Sequence, residues 1–137
     1  MVDRQRVASM LAHLEGYVAA LRELGAIPRR AFLADVHLAA SAKYHLTISI
    51  QCCLDIANHV IASEGFRPPN DYADAFAILV KEGILPPEMR QPLKKIARFR
   101  NLLVHVYADI DDARVYQCLQ EDLGDFDLFA RCVSRLE

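Results

Sequence analysis

The chain has 137 residues, and its 53% hydrophobic content suits a single domain, residues 1–137, with a substantial core. Its formal net charge of −2 argues against a protein that coats nucleic acid through bulk positive charge. Any contact with RNA must therefore come from a local patch of residues.

Helical periodicity recurs along almost the whole chain, and no strand-like alternation is sustained. The apolar residues between Val7 and Leu21, for example, repeat at three- and four-residue steps, and Gly25 ends the run. The predicted helices span about 3–24, 29–63, 71–82, 86–107 and 112–137. Short turns containing glycine or proline separate them. We therefore predict an all-α fold, an antiparallel up-and-down helical bundle of four long helices and one short helix.

The sequence lacks the signals of several common classes of protein. The first residues have no apolar signal-peptide core, and no run reaches the length and apolarity of a membrane span, so we expect a cytoplasmic protein without a membrane partner. Neither a His-Glu-x-x-His string nor a glycine-rich phosphate loop occurs, and we expect no metal and no cofactor. The cysteines show no Cys-x-x-Cys spacing and fit buried reduced thiols. They are Cys52, Cys53, Cys118 and Cys132.

Four polar residues interrupt an otherwise apolar stretch, Arg-Asn-Leu-Leu-Val-His-Val-Tyr, and they are Arg100, Asn101, His105 and Tyr107. Taken singly, His105 could be a hydrogen-bonded core histidine and Arg100 a solvated flank. On one helix, however, Arg100 and His105 lie roughly 140° apart, so an undistorted helix does not converge them. The helix is also apolar nearly all round, which predicts burial on more than one side. A two-fold axis in a homodimer could bring Arg100 of one subunit towards His105 of the other.

Two further patterns surround this stretch. The helix predicted for residues 29–63 carries a polar stripe whose members need partners on a facing helix, and it consists of His45, Ser49, Cys52, Asp55 and His59. Asp55 could pair with Arg98 or Arg100, or the stripe could simply fix the register of the helices. A basic run before His105 could guide a phosphate backbone or could be a solvated face, and it consists of Arg90, Lys94, Lys95, Arg98 and Arg100.

The polar stretch resembles the signature of the HEPN superfamily, an arginine followed after four to six residues by a histidine. The additional tyrosine is typical of the HepT toxins, and the resemblance covers nearly the whole chain. Upstream, the segment 65–69, Tyr72, Phe76, Leu79 and the segment 83–86 resemble the loop and short helix of that family.

The resemblance implies a metal-independent endoribonuclease, the toxin of a type II-like toxin–antitoxin system, which acts on RNA and not on DNA. The ribose 2′-hydroxyl would attack the adjacent phosphate and leave a cyclic phosphate end. Arg100 would hold the phosphate, and His105, near the helix carbonyls that stabilise its protonated form, would donate a proton or act in turn as acid and base. Asn101 would orient the imidazole or the substrate.

The resemblance also assigns a role to Tyr107. This tyrosine would contact phosphate or base, and in the HepT family it is the residue that a partner nucleotidyltransferase, the antitoxin, modifies with adenylate. An anionic adenylate beside Arg100 would neutralise the guanidinium and block the cleft.

Two other interpretations remain open from sequence. The chain could be a non-catalytic helical module that partners a nucleotidyltransferase and uses Arg100 and His105 only to hold a dimer together. It could also be a plain structural bundle whose polar residues form a satisfied network. Substitution of His105 separates these interpretations. A variant that still folds and dimerises but no longer cleaves RNA is expected only if the chain is an enzyme.

Overall fold

The computed structural model describes residues 2–106 and 109–136, which form seven α-helices and one 3-10 turn. The helices are α1 (Arg4–Gly25), α2 (Arg29–Ala34), α3 (Val36–Glu64), α4 (Tyr72–Lys81), α5 (Arg90–His105), α6 (Asp112–Glu121) and α7 (Leu123–Ser134). No strand occurs in these residues. The predicted all-α fold is confirmed, but the predicted number of helices is wrong.

Two of the predicted long helices are each divided by an aspartate. Asp35 is extended (φ −120°, ψ 107°), and its side chain accepts a hydrogen bond from the backbone N–H of His37, which ends α2 and caps α3. Asp122 (φ −109°, ψ −7°) separates α6 from α7. Apolar residues keep helical spacing through both breaks, so periodicity alone predicted continuous helices.

The other helix ends agree closely with the sequence. Gly65 ends α3 in the left-handed conformation at φ 71°, and Asp71 caps α4 by accepting from the backbone N–H of Asp74. A 3-10 turn at Pro87–Met89 leads into α5. The described part of α5 ends at His105, and the predicted end at Tyr107 lies outside the described residues.

Helix α3 is the centre of the fold, because all six other α-helices contact it and α1 packs along it most extensively. Its Leu46, Leu54 and Ile56 are completely buried. By length and composition alone α3 could cross a membrane, so the prediction that no segment reaches that apolarity is wrong. Half of its most apolar window is buried inside the domain, as the central helix of a bundle requires.

The cysteines of the described residues are all free thiols. Cys53 is buried and the other three are partly buried, which agrees with the predicted reduced state. Burial, reinforced by the nearby carboxylate of Asp55, raises the pKa of Cys52 to about 11. Burial and the charge of Asp122 raise the pKa of Cys118 to about 12. These two thiols are therefore protonated at neutral pH and are poor nucleophiles.

Candidate active site on helix α5

Arg100 lies on the side of α5 that faces α3 and α4, and its guanidinium is half-buried between those helices. The guanidinium carbon stands 4.5 Å from the centre of the Tyr72 ring, at the start of α4. Its Nη2 donates a hydrogen bond of 3.1 Å to Oε1 of Gln51 on α3. A weaker contact of 3.4 Å joins Nη1 to Oδ1 of Asn101. Arg100 is thus held by residues from both neighbouring helices and is not a solvated flank.

Asp55 takes part in this arrangement indirectly. Its carboxylate accepts a hydrogen bond of 2.9 Å from Nε2 of Gln51, one turn away on α3. Among the residues that the structure describes, no ion pair joins Asp55 to Arg98 or to Arg100. The direct pairing that the sequence suggested as one alternative is therefore absent among these residues, and Gln51 instead links the carboxylate to the guanidinium.

One donor of Arg100 is left over. Its Nε is buried and has no hydrogen-bond partner within residues 2–106 and 109–136. An unpaired buried donor typically costs about 1–3 kcal/mol, so the fold holds this guanidinium at some cost in stability. A buried donor of this kind calls for a specific explanation, and a functional role is one.

His105 is the last residue of α5 and is exposed to solvent, so the alternative of a core histidine is wrong for the single chain. Because α5 runs unbroken from Arg90 to His105, helix geometry keeps Arg100 and His105 roughly 140° apart, as the sequence predicted. Lys94, Arg98 and Asn101 precede His105 at steps of four, three and four, and all are exposed. Two basic side chains, the imidazole of His105 and the amide of Asn101 therefore share one exposed face of α5.

The remaining predicted site residue, Tyr107, lies outside the described residues, and the structure adds nothing to its predicted role. Sequence reasoning missed Gln51 and Tyr72 as contacts of Arg100. One feature of the sequence could have pointed to Gln51, because it lies one helical turn before Asp55, within reach of a hydrogen bond to that carboxylate. Tyr72 appeared in the family resemblance but was assigned no role there.

The polar stripe of α3 does not pair with α5 as predicted. His45 Nδ1 lies 2.8 Å from the carbonyl of Ser41, and Ser49 Oγ donates at 2.6 Å to the carbonyl of His45, so both bond within α3. Cys52 Sγ lies 3.3 Å from the carbonyl of Met10 on α1. His59 Nε2 is buried without a partner in the described part of the chain. The stripe is therefore chiefly a set of hydrogen bonds within α3, and among these contacts only that of Cys52 reaches another helix.

Large apolar side chains are exposed on both sides of His105 in the sequence and on α3. Val104 and Val106 are 38% and 40% exposed, and Tyr44 on α3 is 60% exposed. The buried face of α5 consists of Leu93, Ile96, Ala97, Phe99 and Leu103. In a single chain α5 is therefore covered on one side, and its predicted burial on more than one side would need a further covering surface.

Three grooves of the molecule lie elsewhere. One of about 580 Å³ runs between α1 and α7, one of about 550 Å³ lies between the start of α1 and the end of the chain after α7, and one of about 450 Å³ lies between α5 and the α6–α7 segment. None of the three is lined by Arg100 or His105. The described residues also contain no cluster of three potential metal ligands. In one chain the site is an open surface.

Comparison with other sequences places these observations in context. A sequence model of the family described as Ribonuclease HepT-like matches residues 14–133. The chain is 30% identical over 98 residues to a Shewanella oneidensis protein named mRNA nuclease HepT, which covers 72% of the chain and 74% of that protein. It is 29% identical over 89 residues to a protein of Aphanizomenon flos-aquae named tRNA nuclease HepT, covering 65% of the chain and 60% of that protein.

Solved structures share the fold. The TM-score is 0.88 to a tri-AMPylated HEPN toxin of Shewanella oneidensis in complex with its MNT antitoxin, at 24% identity and covering 99% of this chain and 100% of that one. The TM-score is 0.83 to YutE of Bacillus subtilis, a cytosolic protein of unknown function, at 23% identity and covering 96% of this chain and 88% of that one.

Proposed function

The chain belongs to the HepT-like ribonuclease family, and from this premise we propose that it is an endoribonuclease, the toxin of a type II-like toxin–antitoxin system. The observation that carries the proposal is the state of the two signature side chains. Arg100 is held by Tyr72 and Gln51, whereas His105 stands exposed on the same helix. A positioned cation and an accessible imidazole are the two groups that cleavage of a phosphodiester requires.

The proposed reaction needs no metal. The 2′-oxygen of the ribose forms a bond to the adjacent phosphorus as its proton leaves to solvent, and the bond from phosphorus to the 5′-oxygen breaks. His105 donates the proton that the departing 5′-oxygen takes up, which leaves a 2′,3′-cyclic phosphate and a 5′-hydroxyl. Proton transfer of this kind contributes on the order of 10² to 10⁴ in rate. Arg100 stabilises the charge that builds up on the phosphate oxygens.

We place the complete site at the interface of a homodimer. The angle of roughly 140° between Arg100 and His105 on α5 prevents one chain from closing both on one phosphate. The exposed Val104 and Val106, which flank His105, and the exposed Tyr44 on α3 supply apolar surface for a second copy. A two-fold axis then creates two equivalent sites, each with Arg100 from one subunit and His105 from the other.

The partner is proposed to be a nucleotidyltransferase antitoxin in the cytoplasm. The fold relative from Shewanella oneidensis was solved in tri-AMPylated form with an MNT antitoxin, which supports the same type of partner here. Tyr107, two residues after His105, is the residue we expect it to adenylylate. An adenylate there would compete with substrate phosphate for Arg100 and so inhibit cleavage.

The test is RNA cleavage by the purified protein in EDTA. We expect the wild type to cleave RNA and to leave cyclic phosphate ends, and His105→Ala to remain folded and dimeric but to lose activity by at least about 10²-fold. His37→Ala, which removes another exposed imidazole, at the start of α3, is the matched control and should cleave normally. Equal cleavage by wild type and His105→Ala would exclude the proposal that the chain is an endoribonuclease. It would favour a non-catalytic module that only binds a nucleotidyltransferase.

A further inference from the structure

We propose that Gln51 and Tyr72 are positioning residues that orient Arg100 while leaving its positive charge free for a phosphate. The inference rests on the proposed ribonuclease function, and it concerns two side chains outside the Arg-x-x-x-x-His signature. Both approach Arg100 from other helices, Gln51 from α3 and Tyr72 from the start of α4.

Tyr72 fixes the plane of the guanidinium. At 4.5 Å from the ring centre, the flat cation of Arg100 lies over the aromatic face, where the ring's negative charge density attracts it. This contact restricts rotation of a long side chain but forms no ion pair. The edges of the guanidinium, which carry its N–H groups, remain the directions in which it can bind anions.

Gln51 fixes one edge of the guanidinium, and Asp55 determines how Gln51 is turned. An ionised carboxylate can only accept hydrogen bonds, so the side-chain N–H₂ of Gln51 must point to Asp55 and its oxygen to Arg100. The neutral amide of Gln51 therefore links the carboxylate of Asp55 to the guanidinium of Arg100 through two hydrogen bonds. Asp55 orients Arg100 without contacting it.

The link matters because a carboxylate in direct contact would neutralise Arg100. Elsewhere the chain does pair arginine directly, since Arg67 donates two hydrogen bonds of 2.7 and 2.8 Å to Asp74. A phosphate binding to such an arginine would first have to displace the carboxylate. Placing the neutral amide of Gln51 between Asp55 and Arg100 retains the orientation and avoids this competition.

Binding of an RNA that cannot be cleaved tests the idea separately from catalysis. The probe is a fully 2′-O-methylated oligoribonucleotide, which lacks the attacking hydroxyl, and affinity is measured by fluorescence anisotropy over a range of salt concentrations. Gln51→Glu places a carboxylate against Arg100, so we expect Kd to rise about 10-fold. The slope of log affinity against log salt should fall by about 0.7, the value for one lost phosphate contact on a single strand.

Two further variants separate positioning from folding. Gln51→Met keeps the length of the side chain but offers only a weakly accepting thioether sulfur and no donor, and Tyr72→Leu removes the ring, so both should lower kcat more than they raise KM. Tyr72→Phe retains the ring and should restore wild-type kcat. The matched control is Gln117→Glu, because Gln117 also donates to a carboxylate one turn away, Glu121, but lies on α6 and makes no hydrogen bond to Arg100. It should change neither Kd nor the salt slope.

The outcomes distinguish this inference from the proposed function. If the wild type cleaves RNA but Gln51→Glu binds the probe with unchanged affinity and salt slope, the inference is overturned and the ribonuclease remains. If the wild type cleaves no RNA, the proposed function fails, and the binding data alone decide about the two residues. Absence of probe binding by the wild type would overturn the inference as well. Thermal unfolding of each variant checks that it is folded.

Discussion

Arg67 and Asp74 form an ion pair in which the carboxylate neutralises the charge of the arginine. Two hydrogen bonds from Arg67 and a third from the backbone N–H of Asn70 lower the pKa of Asp74 from 3.8 to about 2. Because the pKa in the folded state lies below the ordinary value, the ionised carboxylate stabilises the fold above pH 3.8. This contribution is lost as the pH falls through about 2.

We therefore predict that Asp74→Asn lowers the free energy of unfolding at pH 7 by the small amount typical of exposed pairs. The difference from wild type should shrink as the pH falls from about 4 to about 2. Urea unfolding at several pH values measures both, with Arg67→Gln as the control that removes the main cause of the shift. A difference that stays constant over this range would contradict the assignment.

The contacts of Arg100 show which parts of a site one sequence can reveal. The spacing of Arg100 and His105 predicted their separation on the helix, and the structure keeps it, because helical geometry is local. Gln51 and Tyr72 lie 49 and 28 positions before Arg100 along the sequence, and only packing of three helices brings them to it. A pattern within one helix contains no record of such contacts, which is why Asp55 was predicted to pair directly.

Among the helices, end signals were more informative than apolar spacing. Gly25, Gly65 and Asp71 predicted ends or caps correctly to within a residue or two, since each has a specific backbone or hydrogen-bonding role. The breaks at Asp35 and Asp122 were missed because the apolar positions on both sides still face the same core. Each break begins a new helix at an aspartate, a residue that favours such positions, and this signal was available in the sequence.

Replacement by alanine should change the stability of the protein in opposite directions at Gly65, which ends α3, and at Gly16, which lies inside α1. Gly65 has φ 71°, where a Cβ is strained, whereas Gly16 lies inside α1 with ordinary helical backbone, and neither site has an atom within 4 Å of an added Cβ. We predict that Gly65→Ala destabilises the protein by about 1–2 kcal/mol. Gly16→Ala should stabilise it by about 0.5–1 kcal/mol. Chemical denaturation of both variants provides the measurement, and shifts of the same sign would contradict the backbone argument.

For the whole molecule, the single chain leaves its signature residues on an open surface. Arg100 is half-buried, His105 is exposed, and apolar side chains beside them are uncovered. The fold class was predictable because helical periodicity is continuous along the chain. The surface that we propose to complete the site was predictable only as a consequence of helix geometry, since in this proposal a second copy of the chain supplies it.

The most direct measurement is RNA cleavage by a mixture of two inactive variants, Arg100→Ala and His105→Ala, allowed to exchange subunits. If the site combines Arg100 of one subunit with His105 of the other, each mixed dimer regains one intact site, and a 1:1 mixture should recover about a quarter of wild-type activity. Native mass spectrometry confirms that mixed dimers form. If they form and the mixture stays as inactive as either variant alone, the composite site is contradicted.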